Sequence, residues 1–101
     1  MKVSELSGVL LDYWVARAEG MSHEQASFVV PAHAYSTEWA YGGPIIEREK
    51  IATLPCFENG RFYWRAAHPY YVNASVGDTP LIAAMRAYVA SKFGNEVPDA
   101  G

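Results

Sequence analysis

Phe57-Glu58-Asn59-Gly60-Arg61-Phe62 is the stretch that decides how this chain is read. Asn-Gly between strand formers is the strongest short hairpin signal, because a type I′ turn needs positive φ at both central residues. The arms are expected over 51–58 and 61–67. In the second arm Phe62, Trp64 and Ala66 alternate with Arg61, Tyr63 and Arg65, so one face should pack and the other meet solvent. Pro55 has no N–H to give a ladder and belongs at an edge or a bulge.

Helix signals flank this hairpin. On the N-terminal side Ser7 is placed to cap, Leu6 can close over Leu11, and Leu11, Trp14, Val15 and Ala18 make one apolar stripe. Asp12, Arg17 and Glu19 fall on the other side, and Gly20 supplies a left-handed stop, giving a helix over 8–19. On the C-terminal side Thr79 caps, Pro80 sits where a missing N–H costs nothing, and Asp78 stands beside the positive helix end. Leu81, Met85, Tyr88 and Val89 form its core stripe, Phe93 extends it, and Gly94 ends it. Ser27-Phe28-Val29-Val30 reads as a short strand closed by Pro31, and Ile45–Lys50 fits either a helix or a strand. The sum is an α+β fold, two α-helices packed on a small, mainly antiparallel sheet, with residues 95–101 as a loose tail.

The 101 residues fit one domain with one core. A formal charge of −3 without a run of like charges indicates neither a nucleic-acid arm nor an acidic mimic of DNA. The single Cys56 makes no internal disulfide and suits a reducing compartment, where it reads as a small buried hydrophobe. The N-terminus does not read as a signal peptide and no apolar run approaches a membrane span, so a cytoplasmic location is expected.

Candidate chemistry is sparse. His23, His33 and His68 have no metal-ligand spacing and read as surface or turn histidines; no metal or cofactor is expected. Glu47 and Glu49 would share a face on a strand, as paired catalytic acids do, and diverge on a helix. Arg48 between them suits an ion pair to Asp78 or Glu96. Gly42-Gly43 before Pro44 reads as a tight turn, or else as an amide nest for an anion. The best candidate binding surface is Arg61, Tyr63 and Arg65, continued by His68, Tyr70 and Tyr71. Tyr and Arg are favoured at protein interfaces, and the same pair also serves single-strand binders, a reading that net acidity weakens. The last helix has small residues at Ala83, Ala87 and Ala90, so it is either buried between layers or offers a subunit interface.

Gly42-Gly43-Pro44-Ile45-Ile46-Glu47-Arg48-Glu49-Lys50-Ile51 and Gly77-Asp78-Thr79-Pro80-Leu81-Ile82-Ala83-Ala84-Met85-Arg86 resemble the phage NinX-like family. So do Leu11–Gly20, Tyr35-Ser36-Thr37-Glu38-Trp39 and Tyr88–Gly94, while 21–34 and 53–76 match least. The resemblance implies a phage or prophage accessory protein acting in the bacterial cytoplasm and carries no catalytic residues with it. A site shared by the family would draw on Trp39, Arg48, Glu49, Asp78 and Arg86. The plain alternative for that set is turn-and-cap geometry holding the two helices together. Three functions follow in order: a non-enzymatic module binding a host or phage protein and forming a homo-oligomer, a single-stranded nucleic-acid binder, and a small enzyme built on Glu47, Glu49 and a histidine.

Overall fold

Asn59 and Gly60 both take left-handed backbone, at φ 54° and 76°, and close strand β1 (Ala52–Glu58) onto β2 (Arg61–Ala67) with Glu58 opposite Arg61. Hydrogen-bonded pairs alternate along such a hairpin from its closing pair, so Pro55, opposite Trp64, falls where its absent N–H would point away from β2. That fits the observed order β1-β2-β3, all antiparallel, with β1 an unbulged edge strand and β3 spanning Ser75–Gly77. The structure is a computed structural model and describes residues 1–99.

Helix α4 (Pro80–Phe93) is the centre of the molecule, packing on all three strands, on α1 (Gly8–Ala18) and on α3 (Trp39–Glu49). Its ends follow the chain's punctuation: the Thr79 hydroxyl accepts from Ile82 N–H at 3.0 Å, Pro80 opens the first turn, and Gly94 at φ 85° ends it. Ala83, Ala84, Ala87 and Ala90 are all 3% exposed or less. A helix apolar on every side is a buried helix. The proposed subunit interface at Ala83, Ala87 and Ala90 is therefore overturned: these alanines let neighbouring elements of the same chain approach.

Two further helices complete the α+β fold. Helix α2 (His23–Val29) replaces the strand expected at 27–30. Ser22 Oγ accepts from Gln25 N–H at 3.2 Å and Gln25 Oε1 accepts from Ser22 N–H at 2.9 Å, a capping box. Ala26, Val29 and Val30 share one helical face toward the core, while Phe28 points out. Helix α3 settles 45–50 as helix and also takes in Gly42, Gly43 and Pro44, so the Gly-Gly pair is neither a turn nor a nest. Gly42 is required by packing: a Cβ there would lie 2.5 Å from Leu81 Cδ1 and collide with the Tyr35 carbonyl oxygen. Lys50, left-handed at φ 58°, ends the helix and leads into β1.

Around this frame Leu6, Leu11, Val15, Met85, Tyr88 and Val89 are almost wholly buried. Asp12, expected on the outer side of its helix, is buried because the segment after α2 covers it, and its Oδ1 accepts from Ser36 N–H at 2.8 Å. Ser7 flanks α1 as foreseen, without a side-chain cap bond. The tail expected from 95 onward is held over 95–99: Lys2 bridges Glu96, Val3 N–H donates to Asn95 O at 2.8 Å, and Val97 is buried. Residues 100–101 lie outside the described residues. Among the described residues no helix is long and apolar enough to cross a membrane.

Candidate functional site

The C-terminal ends of α1 and α3 meet over the middle of α4, and charged side chains fill the junction. Arg48 donates from Nη1 and Nη2 to Glu19 at 3.2 and 2.6 Å, from Nε to Glu49 at 3.0 Å, and from Nη2 to the Tyr88 hydroxyl at 3.1 Å. The ion pairs foreseen with Asp78 or Glu96 are thus replaced by Glu19 and Glu49. The helical register puts Arg48 over α1, which no local pattern shows. Tyr88 donates to Glu19 Oε2 and to the Ala18 carbonyl. Glu49 continues the chain to His68, whose Nε2 lies 2.9 Å from Glu49 Oε1 and whose Nδ1 accepts from Tyr70 N–H at 3.1 Å.

The electrostatics follow from these partners. His68 first, then Arg48, holds the Glu49 carboxyl below its usual range. Burial pushes Glu19 up, but hydrogen bonds from Arg48 and Tyr88 outweigh it and the net shift is down. Burial, then Glu19, pushes the Tyr88 phenol up, and the Glu19 hydrogen bond pushes Arg48 up. A proton-transfer catalyst needs a nitrogen or oxygen open to substrate. Both ring nitrogens of His68 and the Arg48-facing and His68-facing oxygens of Glu49 are engaged internally. Glu47 points elsewhere into solvent, so the paired-acid reading of Glu47 and Glu49 fails with the helix assignment. His68, read as a surface residue, is buried.

The rest of the family-block set divides. Arg86 is a clamp: Nε donates to Leu6 O at 2.9 Å and Nη1 to Val76 O at 2.8 Å, and burial lowers its pKa. Gly77 must lack a side chain, since a Cβ would sit 2.8 Å from both Ala83 N and Ile82 Cγ2. Asp78 is exposed just before the α4 cap. Trp39, the first residue of α3, is 55% exposed and stands beside the α4 N-terminus. Trp39 and Asp78 therefore lie away from the Arg48–Glu49 junction, and the five residues are not one site.

The hairpin is the second region. Gly77 pairs with Trp64 and abuts α4, so Trp64 and Ala66 face the helix while Arg61, Tyr63, Arg65, Leu54 and Val76 face the opposite way. Among the described residues no helix covers that face, and Arg61, Arg65, Leu54 and Val76 are exposed there. Charge at the neighbouring Cys56 sulfur is the first cause of a raised Tyr63 pKa. Cys56 is half-buried on this face rather than a core residue. Phe62 departs from the expected packing: with Phe57 it lies past the helix layer, the two 71% and 63% exposed with ring centroids 4.7 Å apart. Sequence alternation looks the same on the packed and projecting parts of a hairpin, which is why the pair was not separable beforehand. Tyr70 is exposed, whereas Tyr71 donates to Asn95 Oδ1 at 2.8 Å and is a tether.

Among the described residues no three His, Cys, Asp or Glu side chains group as metal ligands. No curated protein matches the chain. A family model described as Bacteriophage P22, NinX matches residues 2–92. That span contains α1 through the greater part of α4, and with it both the junction and the hairpin, so the chain belongs to the bacteriophage P22 NinX family.

Proposed function

We propose that this protein is a non-enzymatic phage accessory protein that binds another protein in the bacterial cytoplasm through its hairpin. The observation that carries the reading is the exposed Phe57–Phe62 pair at the hairpin's projecting end, with Arg61, Tyr63 and Arg65 on the opposite, uncovered face of the same hairpin. Adjoining exposed aromatic side chains and arginines are the residue types that anchor interfaces, and water exacts a cost for leaving such apolar surface open. The charged junction supports the non-enzymatic part, because its donors and acceptors are paired with one another. With the alanine stripe buried, self-association rests on the hairpin as well: a second copy is one partner this surface could take.

The test is affinity capture from bacterial lysate with and without nuclease, the bait sized by light scattering. A protein captured near one-to-one in nuclease-treated lysate supports the reading. Arg61, Tyr63 and Arg65 on one face also suit a single nucleic-acid strand, and capture that vanishes with nuclease and weakens steeply with salt would replace the protein reading by that one.

A further inference from the structure

Helix α4 covers one face of the sheet, and among the described residues no helix lies over the other. The hairpin register builds that open face in cross-strand pairs: Glu58 beside Arg61, Cys56 beside Tyr63, and Leu54 beside Arg65. Its middle is apolar. Leu54 is 59% exposed, Val76 next to Arg65 is 47% exposed, and Cys56 and Tyr63 are half-buried. Its charges are unmatched within the chain, since no ion pair among the described residues includes Glu58, Arg61 or Arg65.

Two observations select what covers this face. The first is Pro55 in the middle of the free edge of β1, which removes a ladder donor and disfavours strand addition there, so a partner comes by the face and not by the edge. The second is the charge pattern. A half-turn about an axis running along the strands, between β1 and β2, lays each β1 residue over its β2 neighbour in a second copy. Glu58 then meets the second copy's Arg61, and by symmetry the contact occurs twice. Cys56 meets Tyr63, and Leu54 meets the aliphatic stem of Arg65, whose guanidinium stays in water. A half-turn about an axis across the strands would instead set Glu58 over Ala52 and Arg61 over Ala67, pairing no charges. The face is complementary to itself in one arrangement only.

We infer that two copies of this chain pack sheet on sheet through this face, with strands aligned and both hairpin tips at the same end. The two sheets lie ~10 Å apart in the middle, with an α4 on each outer side. The inference rests on the reading of the hairpin as a binding surface and divides it: the Arg61, Tyr63 and Arg65 face takes the second copy, while the Phe57–Phe62 pair on the other face stays open. Strands of seven, seven and three residues give a footprint of roughly 300 Å² per copy, at ~3.4 Å per residue and ~4.8 Å per strand. A standard interface uses ~800 Å² per partner, so this dimer is weak and reversible, with a dissociation constant on the order of 100 µM.

The test is sedimentation of the full-length protein from about 10 µM to about 1 mM. The wild type is expected to move from 11.2 kDa toward twice that mass. Glu58→Arg and Arg61→Glu each bring like charges together twice and should raise the dissociation constant about tenfold or more. Mixed in equal amounts, the two variants should associate again, because each carries the charges that the other lacks. Both positions are exposed, so melting temperatures should stay close to that of the wild type. A wild type that remains at 11.2 kDa throughout, a dimer indifferent to both substitutions, or a mixture no more associated than its components would overturn the inference. A monomeric wild type that still captures a protein through Phe57 and Phe62 would remove this inference alone and leave the protein-binding reading in place.

Discussion

The α3–α4 junction and the hairpin tip carry similar residue types, arginine and aromatic side chains, to opposite ends. At the junction Arg48 has Glu19, Glu49 and Tyr88 as partners; elsewhere along α4 Arg86 bridges two backbone carbonyls, and Gly42 and Gly77 permit close approach. At the tip Phe57 and Phe62 contact each other and then solvent. The difference separates what holds the chain from what the chain presents. The segments 42–51 and 77–86 serve the first purpose, and the hairpin tip leaves its side chains to solvent.

Substitutions should therefore split sharply between the two regions. The largest effect belongs to Gly42→Ala, whose Cβ meets Leu81 and the Tyr35 carbonyl, and to Gly77→Ala, whose Cβ meets backbone of α4. Each should cost about 3 kcal/mol in urea unfolding, at the upper end for overpacking because backbone cannot step aside. Next is Arg86→Met, which leaves the Leu6 and Val76 carbonyls without their donor; a loss of about 2 kcal/mol is expected by the same measurement.

Arg48→Met should cost less, about 1 kcal/mol at neutral pH, because the guanidinium is half exposed and solvent screens its pairs. Its signature is in the pH dependence. Glu19 and Glu49 have lower pKa values folded than unfolded, so the unfolded chain takes up protons first as pH falls. Their stabilisation is complete above the ordinary carboxylate value of 4.5 and is lost as pH drops through the folded values. Melting temperatures from pH 7 to pH 3 should fall less steeply in Arg48→Met than in the wild type. The smallest effect is expected for Phe57→Ser with Phe62→Ser, within about 0.5 kcal/mol of wild type, since neither ring packs in the core.

The legible parts of the fold were those whose signals are local. Thr79-Pro80 with Gly94, Gly20 after α1, and Asn59-Gly60 each dictate a backbone conformation from one or two residues, and all three appear where read. The capping box Ser22-x-x-Gln25 is an equally local signal, but the strand expected over 27–30 rests on Val29-Val30 beside Phe28 alone and takes no account of it. Helix α3 was obscured because Gly42, Gly43 and Pro44 oppose helix locally; core packing of Ile45 and the close approach of Leu81 override them. Of the candidate site, the shared face of Arg61, Tyr63 and Arg65 was readable from period-two alternation. The pairing of Arg48 with Glu19, 29 residues away, and the burial of His68 depend on tertiary register and had no sequence signal.

The most direct test compares wild type with the Phe57→Ser, Phe62→Ser double variant in two readouts, melting temperature and protein captured from nuclease-treated bacterial lysate. The account predicts matched melting temperatures together with loss of a captured protein that the wild type retains near one-to-one. Equal capture by both, or a collapse in the variant's stability, would contradict the claim that the hairpin is presented for binding rather than used to hold the fold.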